Sequence, residues 1–285
     1  MRSKPRRNGK KLLLVLIIVA VVAGAFLWIR RGGDTSSSAS SKSSSSAGSN
    51  QQVKSQNLPV IDAQPTVDAW AAKQSGTTSV VVYDLANNKA VASLNPDTQY
   101  FTASIYKLYV AYYGYQKIAD GTYSLNDPYL SGYSRGDCLD TMIRDSYSPC
   151  GEKMWAELGK DKLTNLLRTY GIKNTSMSGL TTTAQDSATL LERLWNQKDL
   201  SESPTGLFLD SMKTQPAKFR RGLPSGFTKS TVYNKVGWNE NIEWHDTAIV
   251  TLPNERSYVI TVFTKNVGYS QIAQLGAALE TKLNQ

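Results

Sequence analysis

The spacing of apolar residues changes several times along this chain, and each change marks an element. Leu12 to Ile29 is an unbroken apolar run of eighteen residues, LLLVLIIVAVVAGAFLWI. As a helix it spans about 27 Å, close to the hydrocarbon thickness of a bilayer, and it predicts a transmembrane anchor. Residues 30–57 then lose apolar character, with ten serines between Gly32 and Asn50. Such a stretch cannot bury enough surface to fold and reads as a flexible linker with a reach of roughly 28 Å.

From residue 58 onward the pattern is that of a folded domain. Pro65 to Gly76 predicts a short helix, and Ser79–Asp84 and Ala90–Leu94 predict two strands joined at Asn87-Asn88. A long helix is expected from about Ser104 to Gly121, with Ile105, Leu108, Tyr109, Tyr112 and Tyr113 as its core-facing stripe. Helices are then expected at Leu139–Asp145, Glu152–Leu158, Lys162–Tyr170, Ala184–Trp195 and Gly206–Lys213. The period returns to strands at Thr231–Val236, Thr247–Leu252 and Tyr258–Thr264, and Ser270–Leu283 closes the chain as an amphipathic helix. Strands at both ends with helices between imply an α/β fold of the α+β type. One sheet is assembled from the two termini, flanked by terminal helices, with a helical subdomain inserted.

Charge changes the picture only at the N-terminus. The formal net charge is +9, but Arg2, Lys4, Arg6, Arg7, Lys10, Lys11, Arg30 and Arg31 supply +8 of it, leaving +1 for the rest. A nucleic-acid-binding reading loses its support. Six of these charges precede the apolar run, so the positive-inside rule makes residues 1–11 a cytoplasmic tail and places the remainder outside the cell. A cleaved signal peptide is the alternative, with Ala23-Gly24-Ala25 as the cut site, but the run continues past it to Ile29. Outside the cell a disulfide is permitted, and Cys138 and Cys150 are read as bridged; two buried free thiols are the alternative.

Ser104-Ile-Tyr-Lys107 is the chemical centre of the sequence. It is the one place where a lysine follows a serine by three residues. On a helix the two share a face, so the amine reaches the hydroxyl, and desolvation would make it a base for an otherwise weak nucleophile. The start of a helix adds free backbone N–H groups for a developing oxyanion.

The stretch VVVYDLANNKAVASLNPDTQYFTASIYKLYVAYYGYQKIADGTYSLND, with CLDTMIRDSYSPCGEKMWAELG and RRGLPSGFTKSTVYNKVGW, resembles the class A β-lactamases and their penicillin-binding relatives. Ser146-Tyr147-Ser148 stands at the family's Ser-Asp-Asn element and Lys235-Val236-Gly237 at its Lys-Thr-Gly element, 42 and 131 residues after Ser104. The resemblance runs from about Pro65 to the C-terminus and implies an antiparallel five-stranded sheet. It implies Ser104 as the acylated nucleophile, Lys107 as its base partner, Ser146 as the proton relay and Lys235 as the charge that holds this relay. Ser148, Val236, Gly237 and Trp238 would contact substrate, with the N–H groups of Ser104 and Trp238 as the oxyanion hole. The substrate would be a β-lactam or a peptidoglycan-derived peptide.

Three departures stand out. Ser148 replaces an asparagine, and Val236 replaces a threonine or serine. No acid occurs from Ser176 to Thr182, where the family carries its deacylating glutamate. An acyl-enzyme would then form but hydrolyse slowly, as in a penicillin-binding D,D-peptidase. A noncatalytic surface module is the third reading. His245, the single histidine, sits beside Asp246 and is expected on a surface turn rather than in a Ser-His-Asp triad, and Glu240 and Glu243 are expected on a solvated turn. One histidine and two cysteines do not supply four zinc ligands, and no cofactor is implied.

Overall fold

A computed structural model describes residues 59–240 and 242–285. The tail 1–11, the apolar run 12–29 and the linker 30–57 lie outside the described residues. Among those described, no helix is long and apolar enough to cross a membrane.

Helix α1, Gln64–Ala71, opens with Pro65, which fits a first turn where no N–H partner is needed. It ends earlier than the expected Gly76, and a turn leads into strand β1, Thr77–Asp84, and β2, Lys89–Leu94. A two-residue strand β3, Tyr100–Phe101, precedes helix α2, Tyr106–Ala119. The small strands β4, Pro128–Leu130, and β5, Tyr133–Ser134, lead to α3, Arg135–Arg144. Ser134 caps α3 by accepting the Asp137 N–H, with the Asp137 side chain reaching back in return. There follow α4, Ser148–Leu158; α5, Lys160–Thr169; β6, Thr181–Thr182; α6, Ala184–Trp195; α7, Glu202–Lys213; and the one-turn α8, Leu223–Gly226. Strands β7, Thr231–Asn239, β8, Glu243–Thr251, and β9, Ser257–Lys265, complete the sheet, and α9, Tyr269–Leu283, closes the chain.

The sheet runs β2-β1-β9-β8-β7, with every neighbouring pair antiparallel. The two terminal segments therefore meet at the β1–β9 seam, as the pattern at the chain ends implies. Alternation sorts the side chains: Val81, Ile249, Val259 and Phe263 face the helices inserted between β2 and β7, while Val80, Val82, Ala248, Val250, Ile260 and Val262 face α1 and α9. Both faces are buried, which explains the continuous apolar runs.

The long helix departs from its expected stripe. Tyr106 to Tyr115 are all buried, because α2 runs through the interior of the helical part and packs against α3, α4 and α7. A helix surrounded on all sides needs apolar residues all round. The hydroxyls of its tyrosines are placed individually; Tyr109, for example, shares hydrogen bonds with Thr182 and Ser187.

Candidate active site

The chain approaches Ser104 under constraint. Ala103 has φ +43°, a left-handed conformation uncommon for a residue with a Cβ. It starts a 3₁₀ turn, Ala103–Ile105, which runs directly into α2, so Ser104 lies on this tighter turn and not within the α-helix itself. Lys107 follows in the first turn of α2, its Nζ 3.1 Å from Ser104 Oγ.

The Lys107 ammonium also meets Ser146 O at 2.9 Å, Ser148 Oγ at 3.2 Å and Ser146 Oγ at 3.4 Å. Ser146 Oγ in turn accepts from Lys235 Nζ at 3.0 Å. One hydroxyl thus bridges two buried lysines, and Ser104 joins the chain through the first of them. Ser146 is held at φ +54°, again a conformation that persists only where the surroundings over-determine it. Its loop connects α3 to α4, and the Cys138–Cys150 disulfide ties those two helices together around it.

Burial sets the electrostatics. Lys107 is 1% exposed, and desolvation lowers its pKa from 10.5 to about 8, with the exposed Glu152 carboxylate partly opposing. Lys235 is fully buried and lies well below 10.5, from burial first and then from the positive charge of Lys107, with Asp246 opposing. Two amines sharing one hydroxyl do not readily carry two charges.

Glycines make the fit possible at two places. A Cβ on Gly237 would sit 2.9 Å from Thr102 O and 3.2 Å from Ala103 Cβ, so β7 passes directly against the turn that carries Ser104. A Cβ on Gly151 would sit 3.0 Å from Lys107 Cε and 2.9 Å from Tyr106 Oη. Gly151 lies on α4 and leaves the channel through which Lys107 reaches the serines.

Of the residues singled out from the sequence, Ser104, Lys107, Ser146, Ser148 and Lys235 come together. The Trp238 side chain is 43% exposed, with its ring 5.7 Å from that of Phe219. Val236 does not bring its side chain here: it lies on the opposite face, in the core with Val232 and Val250, and only its carbonyl, 3.1 Å from Lys235 Nζ, joins the cluster. No metal-binding group of His, Cys, Asp and Glu occurs among the described residues.

His245 corrects the expectation of a surface turn. Strands β7 and β8 both run further toward each other than the pattern suggested, to Asn239 and from Glu243, so His245 is a fully buried residue of β8. Its Nε2 donates to Phe101 O at 2.9 Å, and burial lowers its pKa to about 4. Neighbouring strand residues face opposite ways, so Asp246 points to the other side, accepting from Asn234 Nδ2 at 2.9 Å and Leu223 N at 2.8 Å. No Ser-His-Asp triad forms. Glu243 is buried as well, bound by Asn239 Nδ2 at 3.0 Å. Sequence reasoning missed Gly151 and the Asn234–Asp246 pair. A glycine three residues beyond Ser148 and an asparagine beside Lys235 were the only signals.

Comparison with known proteins bears on the family and the fold. The family model described as the Beta-lactamase enzyme family matches residues 62–283. Among solved structures, PBP-A is similar with a TM-score of 0.71 at 20% identity, covering 79% of this chain and 97% of that one. The L158E mutant of PBP-A, an acyl-enzyme complex with penicillin G, has a TM-score of 0.69 at 19% identity, covering 77% and 94%. A β-lactamase from Chitinophaga pinensis has a TM-score of 0.69 at 17% identity, covering 77% and 98%. No curated protein sequence matches the chain.

Proposed function

The chain belongs to the beta-lactamase enzyme family, which makes it a serine hydrolase, and on that premise we propose that it forms an acyl-enzyme at Ser104 with β-lactams or peptidoglycan-derived peptides and releases it slowly. The observation that carries this reading is the unbroken line Ser104 Oγ, Lys107 Nζ, Ser146 Oγ, Lys235 Nζ, with each step between 3.0 and 3.4 Å.

In this reading neutral Lys107 takes the Ser104 proton as Oγ attacks the amide carbon. The oxyanion is held by N–H groups of the Ser104 turn and of β7 at Trp238, two segments that Gly237 allows to touch. The C–N bond then breaks, and the leaving nitrogen takes its proton from Ser146 Oγ, which is replenished by Lys107 with the proton it took from Ser104. Lys235 keeps a positive charge near the substrate carboxylate.

Slow release rests on the Ser176–Thr182 segment. The acyl-enzyme must be cleaved by water, and no carboxylate in that segment is available to activate it. PBP-A, in its L158E form, is an acyl-enzyme complex with penicillin G, which supports a penicillin as the probe. We further propose that residues 12–29 anchor the domain to a membrane with residues 58–285 outside, supported by the charge asymmetry and by a disulfide suited to an oxidising compartment. Carbonate-washed membranes that lose the protein would refute the anchor.

Incubating the full chain with a fluorescent penicillin tests the chemistry. A stable one-to-one adduct that disappears in Ser104→Ala is expected. Rapid turnover would convert the reading to an efficient β-lactamase, and no adduct would leave a noncatalytic binding module.

A further inference from the structure

The nucleophile turn is anchored on its upstream side by two side chains of β8. Glu243 Oε1 accepts the Phe101 N–H at 3.4 Å, and His245 Nε2–H donates to the Phe101 carbonyl at 2.9 Å. Both backbone polar groups of one residue, three before Ser104, are therefore gripped from the neighbouring strand. Thr102 N–H adds a bond of 2.7 Å to Leu180 O. Immediately after comes Ala103 in its left-handed conformation, which costs about 1–2 kcal/mol for a residue with a Cβ and persists only if both sides are held. Gly237 supplies the downstream stop.

The clamp is built for this purpose. A carbonyl only accepts, so His245 must carry its proton on Nε2; its Nδ1 is then free to accept the Thr264 N–H, which it meets at 3.4 Å. One neutral tautomer satisfies both contacts. Its ring is fixed between Phe263, at 4.5 Å, and Tyr100, at 5.5 Å. Glu243 is steadied by Asn239 and by Lys265 Nζ at 3.4 Å. A buried histidine and a buried glutamate whose contacts converge on one backbone unit do more than pack.

We propose that His245 and Glu243 are positioning residues that hold Phe101, and through it the strained Ala103, so that Ser104 stays aligned with Lys107. The proposal rests on Ser104 being the nucleophile. It acts on the acylation step and not on substrate affinity.

The test compares His245→Phe, which keeps an aromatic ring and loses the donor, with His245→Gln, which keeps an N–H at the Nε2 position, and adds Glu243→Ala as an independent arm. With fluorescent penicillin at varied concentration, the limiting acylation rate should fall about tenfold in His245→Phe, the worth of one buried hydrogen bond, while the half-saturating concentration stays constant. His245→Gln should restore most of the rate. Amide hydrogen exchange should quicken over residues 100–105 in His245→Phe and in Glu243→Ala, with the sheet unchanged. An unaltered limiting rate, equal damage in Gln and Phe, or unaltered exchange over 100–105 would each overturn the proposal. Should the parent chain form no adduct, the Ser104 reading fails while the exchange data still judge the clamp.

Discussion

On the proposed acyl-enzyme reading Lys107 ties catalysis to stability, and the two should move in opposite directions when it is removed. Its pKa falls from 10.5 to about 8 because the amine is buried. At pH 7 about one molecule in ten then carries a neutral amine, against about three in ten thousand for an unburied lysine. Acylation needs the neutral form, so its rate should climb about tenfold per pH unit below pH 8 and flatten above it. The limb belongs to the Lys107–Lys235 pair, since the charge of one opposes that of the other. For stability, the unfolded chain keeps this proton up to pH 10.5 while the folded chain releases it above about 8. Between these values the unfolded state binds more protons, so stability rises with pH there, and below pH 8 the burial cost is carried in full. That cost is about 3 kcal/mol. Lys107→Met should therefore stabilise the protein at pH 7 by about 1–3 kcal/mol while abolishing acylation, an exchange expected of a functional group held in a destabilising place. Acylation rates with fluorescent penicillin from pH 5.5 to 9.5, and urea unfolding of both proteins at pH 7, measure the two halves. A profile flat from pH 6 to 8, or a Lys107→Met protein less stable than its parent, would refute the reasoning.

Gly151→Ala should push Lys107 off the serines, because its Cβ would lie 3.0 Å from Lys107 Cε; acylation should fall at least tenfold with a helix that still forms, read by labelling rate and circular dichroism. Leu180→Glu would put a carboxylate into the segment that lacks one, at a residue whose carbonyl holds Thr102 N–H at 2.7 Å; adduct lifetime should shorten in a label-release assay. Replacing Cys138 and Cys150 together by serine should cost about 3 kcal/mol in denaturant unfolding, and acylation should slow as the Ser146 loop loses its brace.

Much of this protein was legible from local rules. Periodicity located the sheet strands and most helices. The three-residue spacing of Ser104 and Lys107 needs only helical geometry to place an amine beside a hydroxyl, and the structure sets them 3.1 Å apart. Cys138 and Cys150 pair as expected from their number and placement. Errors appeared where a side chain's surroundings come from distant segments. The strand through Gly237 and Trp238 lacks an apolar alternation, so its end was drawn at Val236; pairing with Trp244 and Glu243 carries it to Asn239. The matching extension of β8 back to Glu243 puts His245 in the interior and not on a turn. Val236 occupies the expected position in the motif, yet strand alternation turns its side chain into the opposite core.

Residue type and spacing by themselves determined where most elements fall and that Lys107 lies beside Ser104, because each of these depends on neighbours within one or two turns of chain. Tertiary structure alone decided which groups are buried together. The depressed basicity of Lys107, the sharing of Ser146 between two amines and the grip on Phe101 all arise where α2, α4, β7 and β8 meet across long stretches of sequence. Desolvation belongs to a place in space, and a linear pattern of residues does not encode it until the chain has folded around that place.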